Sequence, residues 1–157
     1  MIKEDMRKIH TKYMKLYNKA DRYLNHQQYI QAIECYRKAI KIYPNCISTY
    51  CNMGISFDGL KQYEDAIKCY NKAISVNPDD HHAYHNKALS LAGLGYNELA
   101  LEYYDKAMDL NPKRYEDMFD EVINESEAEM TLENSAEIEG HITKEIEQYI
   151  NRGGVLS

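Results

Sequence analysis

Three asparagines, Asn18, Asn52 and Asn86, stand 34 residues apart. A side-chain amide carries a donor and an acceptor together, the complement of a peptide N–H and C=O. Packed helices lie about 10 Å apart, and an extended chain rises about 3.3 Å per residue. Amides on successive helices would therefore meet about every third residue of a bound segment. A second group, His81, His82 and His85, sets His81 and His85 one helical turn apart, the geometry of a two-histidine metal pair. No third ligand follows at motif spacing, so no metal is assigned and the histidines are read as groove or helix-start residues. Of the four cysteines, Cys35 and Cys69 share the 34-residue step, too far apart to bridge. They read as reduced packing thiols, and Cys46 and Cys51 flank a helix start. A glycine-rich phosphate loop, a serine elbow and an HExxH pair are all missing from the sequence, so neither an enzyme nor a cofactor is expected.

The elements that would position the amides follow from the same rhythm. Tyr50, Met53 and Phe57 fall at spacings of three and four, an amphipathic helical stripe. Asp58, Gly59 and Leu60 interrupt it. Tyr63, Ala66, Ile67, Tyr70, Ala73 and Ile74 resume the spacing until Asn77 and Pro78 stop it. Residues 47–80 thus form a helical hairpin, and 13–46 and 81–114 lay over them without a gap. Gly54, Ala66 and Ala73 are small where helices must cross closely. One hairpin cannot cover its own apolar stripe; about three stacked copies are needed, and the chain has three.

Tyr50, Met53, Gly54, Phe57, Ala66, Tyr70, Ala73 and Pro78 resemble the tetratricopeptide repeat pattern. Residues 13–46 match it through Leu16, Ala20, Tyr23, Ala32, Tyr36, Ala39 and Pro44, and 81–114 through Tyr84, Ala88, Leu91, Ala100, Tyr104, Ala107 and Pro112. Lys19 and Lys87 depart from it where Met53 is apolar. The resemblance implies an all-α fold, a right-handed α-solenoid of three helical hairpins with terminal capping helices. It further implies a protein-interaction module whose leading helices line a concave groove. Asn18, Asn52 and Asn86 would contact a bound peptide there, with Tyr17, Asp21, Ile55, His82, His85 and Leu89 as neighbouring groove positions. In chaperone-binding members lysines and an arginine grip a terminal carboxylate. The corresponding sites here are Tyr17, Asp21, Asn52, His82 and Asn86, of which only Asn52 matches, so strong binding of that motif is not expected.

The rest of the chain completes the expected organisation. Residues 1–12 extend the first helix through Ile2, Met6 and Ile9. Residues 115–130 form an acidic capping helix with Tyr115, Met118, Phe119, Val122 and Ile123 on one face. Residues 131–157 form an acidic helix and a frayed end. Residues 1–114 hold 17 lysines and arginines against 13 acids, net +4, and residues 115–157 carry net −10. This places the acidity in the tail. The +4 body offers a weak route to RNA without a strongly basic stripe. Structural oligomerisation through the apolar stripe over 138–150 is the other alternative. The charged start and the lack of a long apolar run imply a cytoplasmic chain without a membrane span.

Overall fold

The structure, a computed structural model, describes residues 2–118. The stripe at Phe119, Val122 and Ile123, the segment 131–157 and the 138–150 stripe lie outside the described residues. Six helices run in order: α1 Ile2–Asn25, α2 Tyr29–Ile40, α3 Ile47–Gly59, α4 Tyr63–Val76, α5 His81–Gly93 and α6 Asn97–Leu110. A seventh, α7, begins at 112 and is followed to 118. No strand occurs among the described residues. Because α1 is twice as long as α2, its first turns run past the hairpin, leaving Met6 and Ile9 exposed.

Each helix packs on the next in sequence, pairing α1 with α2, α3 with α4 and α5 with α6. Two further contacts decide the curvature. α3 touches both α1 and α5, whereas α2, α4 and α6 do not meet one another. A stack whose odd helices touch while its even helices splay apart is bent with the odd helices on its inner wall, and these helices carry the amides.

The three hairpin turns are copies of one another. Gln28, Gln62 and Tyr96 donate their backbone N–H to the carbonyls of Tyr23, Phe57 and Leu91, the six-to-one bond that closes a helix with a left-handed residue. That residue is Gln27, Lys61 or Gly95, with φ of 57°, 57° and 83°. Only the third turn uses glycine, which meets no steric penalty there. Lys61→Gly is therefore expected to stabilise the chain by about 1 kcal/mol, seen as a higher urea midpoint at unchanged slope; an unchanged midpoint would show that the turn carries no strain.

Burial follows the repeat. Ala32, Ala39, Ala66, Ala73, Ala107, Tyr36 and Tyr70 are fully buried, the small residues at the helix crossings and the large ones in the gaps between them. A Cβ on Gly54 would stand 2.6 Å from the Tyr70 ring, so the α3–α4 approach needs glycine or a shifted ring. Lys87, where an apolar residue was expected, is buried with its ammonium 3.7 Å from the centroid of the Tyr103 ring. Its stem supplies the apolar contact, and the aromatic face takes the charge. At the open end Tyr115 of α7 is buried against Tyr84, Ala88, Tyr104 and Ala107, with Met118 beside them. This covers the stripe that the third hairpin leaves bare.

Candidate functional site

The inner wall holds two cavities that share Ile55 of α3 and Asn86 of α5, and so form one groove. The first, about 300 Å³, lies toward α7 and is lined by Tyr17, Ser48, Cys51, Asn52, Asp80, His82, His85, Arg114 and Tyr115. The second, about 490 Å³, lies toward the hairpin turns; Leu24, Asn25, Gln27, Tyr29, Asp58, Tyr63, Tyr70, Leu89, Ala92 and the glycines Gly59 and Gly93 line it. The first end holds Asp80, Arg114 and two histidines, whereas Asp58 is the one charged residue lining the second.

Of the residues expected at the groove, Tyr17, Asn52, Ile55, His82, His85 and Asn86 meet at the first cavity, and Leu89 joins Ile55 and Asn86 at the second. Asn18 is exposed on α1 and lines neither cavity. Asp21 also lines neither. It is half-buried and accepts hydrogen bonds from the Tyr36 hydroxyl and from the Asn52 amide, the latter at 3.1 Å. The second amide hydrogen of Asn52 goes to the Tyr17 hydroxyl, also at 3.1 Å. Asn52 therefore braces α3 against α1, and its carbonyl oxygen is the part left to accept from a ligand. The side chain of Asn86 makes no hydrogen bond among the described residues, which makes it the more available of the two amides that line the groove.

The histidines divide. His82 is exposed, with its ring centroid 3.9 Å from that of His81. His81 accepts a hydrogen bond from the Asn111 amide through Nε2. His85 is buried, its Nδ1 lies 3.3 Å from the Tyr115 hydroxyl, and its Nε2 has no partner among the described residues. Burial pushes the His85 pKa down to about 4, and Arg114 adds to the shift, so it is a neutral ring near pH 7. Tyr17 stays a neutral hydroxyl, because burial raises it to about 12. Among the described residues no group of three or more His, Cys, Asp or Glu side chains is placed to hold a metal ion. All four cysteines are free thiols.

Two groove residues escaped the sequence reading. Arg114 lines the first cavity from α7, as the last residue of the third repeat. No carboxylate lies within ion-pair distance of it among the described residues. Asp58, read only as part of a helix end, faces the second cavity and ties the second hairpin to the third. It accepts from the Tyr70 hydroxyl at 2.6 Å and from the Ser90 hydroxyl at 2.7 Å. Burial raises its carboxyl to about 6, against the lowering effect of these two bonds. A serine 32 residues downstream and a tyrosine 12 downstream were the signals that could have found it.

Models of the tetratricopeptide repeat match residues 14–46, 47–80 and 81–114. The chain belongs to the tetratricopeptide repeat family. No curated protein sequence matches it. Solved structures do. The first tetratricopeptide domain of Spaghetti (RPAP3), bound to the HSP90 peptide SRMEEVD, is 25% identical with a TM-score of 0.63, over 66% of this chain and 82% of that one. The TPR2B domain of yeast Sti1 in a pHsp70 complex is 26% identical with a TM-score of 0.62, over 64% and 81%. A crystal structure of MamA, 24% identical with a TM-score of 0.62 over 66% and 61%, shares the fold. The expectation that acidic C-terminal peptides find no strong grip gains no support from these tetratricopeptide likenesses, two of which are named for HSP90 and pHsp70 complexes. Arg114, the last residue of the third repeat, is a cation among the residues that line the first cavity. No helix among the described residues is long and apolar enough to cross a membrane.

Proposed function

We propose that this tetratricopeptide repeat protein is a non-enzymatic interaction module that holds an extended segment of a partner protein against α1, α3 and α5. The observation that carries the reading is Asn86. It stands where the two cavities join, half-exposed, with its amide uncommitted among the described residues. A peptide backbone needs a donor and an acceptor at one place, and Asn86 offers both. The Asn52 carbonyl adds an acceptor on the neighbouring helix, and Ile55 and Leu89 give side chains an apolar floor. Grooves that hold ligands combine an apolar lining with a few convergent polar groups in this way. The Spaghetti and Sti1 domains, which share the fold and are named for bound HSP90 peptide and pHsp70, support a peptide-binding role.

The two amides separate binding from folding. Asn86→Ala is expected to weaken peptide binding by about 1–3 kcal/mol, the cost of leaving a partner's polar group unpaired, with stability unchanged within about 0.5 kcal/mol. Asn52→Ala should weaken binding too, and also lower stability by about 1 kcal/mol, because Asp21 and Tyr17 lose their donor. Isothermal titration with a peptide selected on the wild-type chain, beside urea unfolding, reads both quantities. Equal losses of stability in the two variants with no loss of binding would make the amides packing residues and nothing more.

A further inference from the structure

The second cavity carries a charge without a counter-charge. Asp58 is its one ionisable carboxylate, and no lysine, arginine or histidine is among the residues that line it. Its two oxygens accept one hydroxyl each, from Tyr70 and Ser90. A carboxylate has about four acceptor sites, so about half of its capacity is unused. Around it stand Leu24, Ile55 and Leu89, with the rings of Tyr29 and Tyr63 laid over Gly59 and Gly93 at the rim.

The repeat itself does not require an acid here. Residues 24 and 92 occupy the matching positions of the first and third hairpins, and they are leucine and alanine. The hydroxyl of Tyr36, the counterpart of Tyr70, finds its acceptor at Asp21 instead. Desolvating a carboxylate without a cation is unfavourable, so this one residue opposes folding in a place where its equivalents do not.

We propose that this cavity receives the lysine or arginine side chain of a partner segment, its head on the free lone pairs of Asp58 and its stem along Leu24, Ile55 and Leu89. This rests on the reading of the groove as a peptide site and adds the chemistry of the occupant. The fit is that of a long side chain with an apolar stem and a charged tip. The tyrosine faces at the rim attract the same cation, and an ammonium or guanidinium on a carboxylate makes the stronger, charge-assisted type of hydrogen bond.

The test is selection of a phage-displayed random nonapeptide library on the full chain, repeated with Asp58→Asn and Asp58→Leu. The leucine variant copies residue 24, so it keeps a side chain that the same fold already accepts. Far-ultraviolet circular dichroism checks that each variant is folded. The inference predicts one fixed basic position in the peptides selected on the wild-type chain. It also predicts that replacing that base by norleucine weakens binding about tenfold to the wild type and leaves binding to either variant unchanged. Selected peptides that lack a fixed base, or keep an equal preference for it on both variants, would overturn the inference and leave the groove reading intact. No enrichment over an inert helical protein would overturn both.

Discussion

Ala66→Glu is expected to abolish the cooperative fold. Ala66 is fully buried on α4, at the position held by Ala32 on α2 and Ala100 on α6. A small side chain there lets α4 lie close on α3. Glutamate would add four heavy atoms beyond Cβ to a fully buried site, and overpacking of this kind costs about 1–3 kcal/mol. It would also bury a carboxylate among Tyr50, Phe57 and Tyr70 in the central core, which costs several kcal/mol more unless the group is protonated. The total approaches the 5–15 kcal/mol that holds a domain of ordinary stability. Loss of most helical dichroism is the expected outcome, whereas Glu64→Gln, two residues away and exposed, should change stability by less than about 0.5 kcal/mol. A folded Ala66→Glu chain would show that the close helix crossing is not what holds the hairpins together.

The second large effect is a pair of opposed titrations. Asp58 is raised from 3.8 to about 6 by burial. The native state therefore holds its proton more tightly than the unfolded chain does. Its contribution is fully present below pH 3.8 and is lost as pH rises through 6. His85 is lowered from 6.5 to about 4, again by burial. Its contribution is present above pH 6.5 and is lost as pH falls through 4. Each spans about 2 pH units or slightly more, worth about 3 kcal/mol at 1.36 kcal/mol per unit. The windows overlap and the slopes are opposite, so the two nearly cancel between pH 4 and 6.

Asp58→Asn removes one member of the pair. The variant should be more stable than the wild type by about 2–3 kcal/mol at pH 7. Its stability should also rise steeply from pH 4 to 6.5, since His85 is then unopposed; His81, lowered by burial and by His82, acts in the same direction. His85→Gln should do the reverse, with stability falling as pH rises from 4 to 6. Urea unfolding at half-unit pH steps checks both. Parallel profiles for wild type and Asp58→Asn would mean that Asp58 has the same affinity for protons folded and unfolded. A substitution that stabilises the fold while weakening a ligand is the signature of a residue kept for binding.

What could be read from the sequence was whatever the 34-residue rhythm controls. Tyr36 and Tyr70 are buried in the core and Ala66 sits at a helix crossing because spacing alone puts them there. The amides fared unevenly for a geometric reason. Asn52 and Asn86 each have a leading helix before them in the stack, and the groove forms between such neighbours. Asn18 lies on the first helix, with no predecessor, and is left exposed outside both cavities. Asp58 and Arg114 were missed because neither belongs to the periodic pattern. The partner of Asp58 in the next hairpin, Ser90, and the entry of Arg114 into the first cavity both depend on how neighbouring repeats and α7 stack, which no local spacing encodes.

The measurement that bears most directly on the inner wall as the binding face is backbone amide shift mapping of the isotope-labelled full chain, titrated with a nonapeptide selected on it. The account predicts that the largest shifts fall on α3 and α5, around Asn52, Ile55, Asn86 and Leu89, with α2, α4 and the outer face of α6 nearly unmoved. Shifts concentrated on α2, α4 and α6 would place the ligand on the opposite face and contradict it.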